Sequence, residues 1–100
     1  MNNEEQLIYL RSSVAPLVSE HFTRLLETYY GYITFHFNKI HTAAGMQYHI
    51  SCMGPNRKVY ALQMAEVLGQ WHVTPVSKCP LWIKMLETDF EQAIRESLER

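Results

Sequence analysis

The sequence predicts an α+β fold with the element order helix-strand-strand-helix-strand-helix. Apolar residues recur every three or four positions towards both ends of the chain and every second position in its middle, which are the periods of helices and strands. We expect a three-stranded, mainly antiparallel sheet in the order 2-1-3, with the helices mostly on one face. With 100 residues, 47% of them hydrophobic and 19% charged, the chain suits a single α+β domain spanning residues 1–100.

Residues 30–53 have the pattern of a β-hairpin with one apolar and one polar face. Apolar side chains fall at every second position in both arms: Ile33, Phe35 and Phe37 in the first, and Tyr48, Ile50 and Cys52 in the second. The predicted register pairs Phe35 with Ile50, so that His36 lies opposite His49 and Thr34 opposite Ser51. Residues 39–45 are expected to form the connecting loop, with Gly45 at a positive φ.

Residues 4–29 have helical spacing, which Pro16 interrupts, so we predict a short lead helix and a longer one that ends near Gly31. Residues 57–68 consist largely of strong helix formers, and Asn56 could cap them. A third strand over residues 58–64 is the alternative, because Gly-Pro-Asn also begins hairpin turns. The composition of the segment favours the helix.

Residues 71–76 are predicted to form the last strand, at an edge of the sheet, because Pro75 has no N–H to donate to a ladder. A closing helix is predicted with Pro80 in its first turn. The alternative is a helix that begins near Asp89, because Thr88 with Glu91 resembles a capping box. One stripe of that helix is apolar: Trp82, Met85, Leu86, Phe90, Ala93, Ile94 and Leu98. The predicted core comprises Phe22, Leu25, Ile33, Phe35, Phe37, Tyr48, Ile50, Leu62, Trp71, Val73, Trp82, Phe90 and Ile94.

The net charge of −1 conceals an uneven distribution. Residues 31–79 contain four lysines and arginines but only one acid, Glu66. The charges are either scattered by chance, or they indicate a mildly positive sheet that packs against negatively charged helices. The acidic N-terminus and the lack of a run of about 18 apolar residues predict a cytoplasmic protein that does not contact membranes. Cys52 and Cys79 are expected to stay reduced there.

The polar face of the sheet is the predicted working surface. Three of its residues, His36, His49 and His72, would suit zinc if they converged, but no close-spaced ligand motif supports a metal site. We therefore predict neither a metal nor any other cofactor. The residues predicted to bind a partner are Tyr32, Thr34, His36, His49, Ser51, Met53 and His72.

The predicted function is that of a small, non-catalytic protein-binding or regulatory module, such as an inhibitor, an adaptor or a chaperone-like protein. Its partner would be another protein or a second copy of the chain. Enzymatic activity is not expected, because no histidine has a carboxylate or a nucleophile placed beside it by the sequence pattern. The alternative is a single-stranded nucleic-acid-binding domain that uses the same face for base stacking.

Overall fold

The computed structural model describes residues 17–99, with side chains described from Glu20 onwards. The chain forms a five-stranded antiparallel sheet, curled into a half-barrel, and two short helices. The elements in chain order are β1 (Leu17–Thr28), β2 (Gly31–Thr42), β3 (Gly45–Met53), β4 (Val59–Val67), β5 (Gln70–Val73), α1 (Leu81–Lys84) and α2 (Glu87–Leu98). A 3₁₀ turn at Pro55–Arg57 joins β3 to β4.

The sheet is a simple meander, so the predicted three-stranded sheet in the order 2-1-3 is wrong. Each strand pairs with the next one in the sequence, and every pair is antiparallel. The predicted helix over residues 57–68 is also wrong, and its strand alternative is the correct one. In β4, Leu62 and Met64 alternate with outward residues and pair with Ile50 and Tyr48. Burial against neighbouring strands therefore overrides the helix propensity of this segment.

Residues 17–28 were predicted as part of a helix and are strand β1 instead. Phe22 and Leu26 lie four residues apart, a spacing that puts them on one side of a helix and also on one side of a strand. Leu25, placed in the core by helical spacing, is 59% exposed because a strand sends it to the opposite face from its neighbours. The predicted helix over residues 4–16 lies outside the described residues.

Two hairpin turns share one local motif, Thr-x-x-Gly. In each turn the threonine hydroxyl donates to the glycine carbonyl at 2.7 Å and accepts from the N–H two residues after the threonine. Gly31 has φ +97° and Gly45 has φ +116°, a region that favours glycine. The predicted helix end at Gly31 and the predicted loop over residues 39–45 are therefore wrong, since β2 and β3 stay paired up to Thr42 and Gly45.

The β2–β3 register differs from the predicted one by two residues. Phe35 pairs with Cys52, Phe37 with Ile50 and His36 with Ser51. A shift of two residues is one full period of a strand, so it leaves every side chain on its predicted face while changing its neighbours. His36 and His49 are therefore not opposite each other.

The core lies between the concave, inner face of the sheet and the helices. The Phe90 ring of α2 meets Phe35 and Phe37 at centroid distances of 5.1 and 5.9 Å, both in edge-to-face geometry. Most of the predicted core is confirmed, although Phe22, Ile33, Val73 and Trp82 are only partly buried against it. The buried cluster is Phe35, Phe37, Tyr48, Ile50, Cys52, Leu62, Met64, Trp71, Ile83, Leu86, Phe90, Ala93 and Ile94.

The closing helix exists, but it is divided into α1 and α2. The predicted capping box is wrong, because α2 begins at Glu87 and its N-cap, Leu86, makes no side-chain capping bond. Met85, assigned to the apolar stripe, is 72% exposed. The break between the two helices turns Ile83 rather than Met85 towards the core.

Helix α2 crosses the mouth of the half-barrel and contacts both edge strands. On the β5 side, the Val73 N–H donates to Glu87 Oε2 at 2.6 Å and the Trp71 N–H donates to Glu91 Oε2 at 3.1 Å. On the β1 side, Arg24 pairs with Glu96 at 2.6 Å. Strand β5 is an edge strand, as predicted, though it ends at Val73 rather than at residue 76. The carboxylates of α2 accept hydrogen bonds from the N–H groups on its unpaired edge.

Candidate functional site

The convex side of the sheet, called here the outer face, faces away from the core. Cross-strand pairing places all of the predicted partner-binding residues on it: Tyr32, Thr34, His36, His49, Ser51, Met53 and His72. They do not form one compact group. Tyr32 and Met53 lie near one end of the sheet, whereas His72 lies on β5 opposite Ala65, near the other end.

One end of the outer face carries a row of exposed apolar side chains across four strands. Leu25 pairs with Thr34, and Met53 pairs with Val59. Extending the β2–β3 register by one pair places Thr34 beside Met53 and completes the row. Leu25, Met53, Val59 and the nearby Tyr32 each have more than half of their surface exposed. An exposed apolar cluster of this kind is typical of an interaction surface.

The histidines of the outer face do not converge as a zinc site would require. The His36 ring stacks with His21 on β1, with centroids 5.7 Å apart and planes at 19°. His49 lies opposite Asn38, and His72 lies beside Glu87, with Nδ1 3.6 Å from Oε2. Within residues 17–99, no group of three or more His, Cys, Asp or Glu side chains could hold a metal ion.

The outer face is nearly uncharged. Its outward strand positions between residues 20 and 73 carry no lysine or arginine, and Glu27 is the single acid among them. Lys39 belongs to the inner face, since it pairs with Tyr48. Lys58 and Lys78 lie in connecting segments outside the strands. The structure therefore does not bear out the hypothesis of a mildly positive sheet face.

A second surface, called here the end groove, lies between the β1–β2 turn and helix α1. Its volume is about 500 Å³, and it is lined mainly by apolar and aromatic side chains. Tyr29 at the tip of the turn is 84% exposed. A smaller pocket of about 330 Å³ shares the Tyr30 wall and continues to Met53 and Pro55. Its lining includes Glu27, Tyr29, Tyr30, Leu81, Trp82 and Met85.

A chain of aromatic rings runs along this end of the molecule. Neighbouring centroids are 5.0 Å apart for Tyr29 and Tyr30, 5.2 Å for Tyr30 and Trp82, and 5.6 Å for Trp82 and Tyr60. Each pair is nearly perpendicular. A Cβ on Gly54 would lie 2.8 Å from the Tyr60 ring, so glycine at this position leaves room for that ring beside Trp82.

Sequence reasoning missed both His21 and the end groove, for a common reason. The predicted helix through residues 17–29 gave His21 no strand partner and left Tyr29 and Tyr30 at a helix end. The two Thr-x-x-Gly segments, 14 residues apart, could have indicated consecutive hairpins, since threonine and glycine suit the first and fourth positions of a tight turn.

Neither cysteine has the character of a catalytic nucleophile. Burial raises the pKa of Cys52 to about 11. Burial also raises the pKa of Cys79, and the nearby charge of Lys84 opposes this effect only in part. Thiolate formation is therefore disfavoured at both positions. Both side chains are free thiols.

No helix within residues 17–99 combines the length and the apolar character needed to span a membrane. Comparison of the chain with protein-family models, with curated proteins and with solved structures found no match.

Proposed function

We propose that the protein is a non-catalytic protein-binding module that acts through its outer face, and that its partner there is a second copy of the chain. The observation that carries this proposal is the exposed apolar row on an outer face without lysine or arginine at its described strand positions. Such a face gains free energy by excluding water from Leu25, Met53 and Val59. It is also too weakly charged to repel its own copy.

The outer face is somewhat smaller than a typical interface, and part of it is already buried, because the outward Ile40 of β2 is only 5% exposed. Five strands spaced about 4.8 Å apart and roughly nine residues long present an area on the order of 600–700 Å². A stable protein–protein interface buries about 800 Å² on each partner. The flanking turns and side chains can supply the difference.

Single-stranded nucleic acid is supported less well by the same geometry. Tyr32, His36 and His49 could stack with bases, but phosphate binding relies on lysines and arginines that neutralise the backbone. Here Arg57, Lys58 and Lys78 belong to the connecting segments and not to the outer face itself. A phosphate chain lying across the strands would meet no described cation there.

Two matched double variants test the proposal. Leu25→Ala with Tyr32→Ala removes exposed apolar groups from the outer face, whereas Lys58→Glu with Lys78→Glu reverses charges beside it. Oligomeric state is measured by size-exclusion chromatography with light scattering across a concentration series, and binding of labelled oligouridine by fluorescence anisotropy. We expect a dimer that the first pair of changes weakens at least about tenfold, as loss of central apolar contacts does, and that the second pair leaves nearly unchanged.

Two outcomes would contradict the proposal. One is a wild-type protein that stays monomeric at every concentration. The other is oligouridine binding that falls steeply with salt and that the charge reversals abolish, because counterion release on phosphate binding gives this salt dependence. The second outcome would establish the nucleic-acid function instead.

A further inference from the structure

The outer face carries a pair of stacked imidazoles, His21 and His36, close to its apolar row. We propose that this pair makes self-association sensitive to pH, so that acid separates the two copies by protonating both histidines within a face that must be nearly neutral to meet its own copy. This proposal rests on the proposed function, because it concerns the regulation of the same face. It is supported by the ring contact, by the position of the pair and by the charges around it.

The two imidazoles belong to neighbouring strands and contact each other across them. His21 pairs with Asn38 and His36 pairs with Thr23, so the two histidines are diagonal neighbours on one face. Their ring centroids are 5.7 Å apart and their planes differ by 19°. Both side chains are exposed, so both can exchange protons with water in the free chain. Neutral rings can stack in this way, whereas two imidazolium charges at this distance repel each other.

The pair lies beside the side chains that are expected to drive association. His36 is two residues from Thr34 along β2, and His21 is four residues from Leu25 along β1, so their positions lie roughly 7 and 13 Å from the apolar row. An interface that buries about 800 Å² on each copy is roughly 30 Å across. One that is centred on the apolar row therefore includes both histidines.

No carboxylate at the described outward positions lies close enough to offset the charge of the protonated pair. Glu27 is six residues from His21 along β1, which is about 20 Å. His49 borders the same pocket as Lys78, so this side of the pair gains positive rather than negative charge on acidification. The titratable side chains at the described outward positions of the strands, apart from the pair itself, are Glu27, Tyr32, His49 and His72.

The charged groups of the inner side are engaged there and do not face the pair. Glu20 lies opposite Lys39, a residue of the inner face. Burial, together with the negative charge of Glu20, raises the pKa of Tyr48, whose hydroxyl is buried on that side. On α2, Glu96 pairs with Arg24. These groups therefore do not neutralise a positive charge on the outer face.

Protonation thus favours the free chain over the associated one. A two-fold contact brings the same patch of both copies together, so two histidine pairs enter one interface. Their charges would lose hydration and repel one another there, whereas water solvates them in the free chain. An ordinary histidine has a pKa of about 6.5. Because dissociation takes up protons, the contribution to association is fully present above this pH and is lost as the pH falls below it.

The test measures the dissociation constant of the full chain at about pH 7.5 and at about pH 5.5. Size-exclusion chromatography with light scattering over a concentration series gives both values. Ionic strength is held constant, and EDTA is present so that no contaminating metal joins histidines of the two copies. At about one pH unit below the pKa of histidine, each imidazole that must stay neutral in the dimer raises the dissociation constant about tenfold. We therefore expect an increase of at least about tenfold between the two pH values.

Replacing both histidines by glutamine separates their effect from that of other groups. His21→Gln with His36→Gln keeps polar side chains that do not titrate, so the ratio of the two dissociation constants should fall below about threefold. The two single variants should give intermediate ratios, which keeps the measurement possible if the double variant associates weakly. His41→Gln is the matched control, since strand alternation puts this exposed histidine on the inner side of β2, and it should keep the wild-type ratio.

An equal dissociation constant at both pH values overturns the proposal, and so does an acid effect that the double glutamine variant retains. Far-UV circular dichroism is recorded at both pH values, and dissociation that comes with unfolding would overturn it as well. A chain that is monomeric at neutral pH contradicts the proposed function itself, whereas a dimer that resists acid contradicts only its regulation. The two failures are therefore distinguishable.

Discussion

At the scale of single residues, the face on which a side chain lies decides its energetic importance. Phe35 and Leu25 are both large and apolar, and both belong to the core predicted from the sequence. Phe35 is fully buried against Phe90, whereas Leu25 points outward. The difference follows from the period of the strand, which sends neighbouring residues to opposite sides.

Replacing Phe35 by alanine should lower the free energy of unfolding by about 3–5 kcal/mol, because the change leaves a cavity in a packed core. Leu25→Ala is the matched control, and in the monomer it should cost less than about 1 kcal/mol because the side chain is already largely solvated. Urea unfolding at low protein concentration measures both values. Equal losses for the two variants would contradict the inner and outer faces assigned here.

At the scale of elements, the contact between α2 and β5 shows how the fold protects an edge of its sheet. An exposed strand edge can recruit another chain, and here the outer amides of β5 donate to Glu87 and Glu91. Arg95 reinforces the arrangement, since Nη2 donates to the Gly69 carbonyl at 3.1 Å and to Glu91 at 3.2 Å. The helix thus supplies hydrogen-bond acceptors to the outward N–H groups of β5, which a sixth strand could otherwise pair with.

This contact should make stability depend on pH. The hydrogen bond from the Trp71 N–H, aided by Arg95, lowers the pKa of Glu91 below its usual value of 4.5. A carboxyl group whose pKa is lower in the folded state stabilises the fold above its unfolded pKa, and this contribution is lost as the pH falls through the folded pKa. Glu91→Gln should therefore lower the melting temperature at neutral pH and have progressively less effect below about pH 4.

Thermal melts of both proteins across that pH range provide the measurement. Glu99→Gln, at the C-cap of the same helix, is a control that changes the same charge without touching β5. A difference between wild type and Glu91→Gln that stays constant from neutral to acid pH would show that the carboxylate charge is unimportant at this edge.

At the scale of the whole molecule, the curled sheet and α2 share one core. Ile94 and Phe90 are buried with residues of the central strands, and α2 contacts both edge strands. We therefore expect one cooperative unfolding transition, with far-UV circular dichroism and tryptophan fluorescence changing together. Trp71 lies on β5 and Trp82 on α1, so the fluorescence reports on both sheet and helix.

Ile94→Ala should lower the unfolding free energy by about 2–5 kcal/mol and shift both signals equally. Leu98→Ala, one turn later and partly exposed, should change it by less than about 1 kcal/mol. Separate midpoints for the two signals in the Ile94 variant would mean that the helix unfolds independently of the sheet.

The sequence by itself determined which face residues 32–38 of β2 and 47–53 of β3 occupy, most of the apolar stripe of α2 and the edge position of β5. In these segments the hydrophobic period has a single interpretation. In β1, the four-residue spacing of Phe22 and Leu26 fits a helix and a strand equally well. In β4, helix formers occupy positions that alternate in burial. Local preference could not decide the structure of either segment.

Only the tertiary structure decided the conformation of those two segments, and with them the meander, the register and the shape of the outer face and the end groove. A strand gains most of its stability from the neighbours that bury one of its faces, and β1 and β4 acquire those neighbours only when the sheet forms. The observed β2–β3 register differs from the predicted one by one full strand period, which is two residues. Both registers place apolar side chains opposite apolar side chains, so only the geometry of the turn selects between them. The outer face was therefore predictable for residues 32–38 and 47–53, whereas residues 39–42, His21 and the end groove were not, since the first were predicted as a loop and the others depend on β1 being a strand.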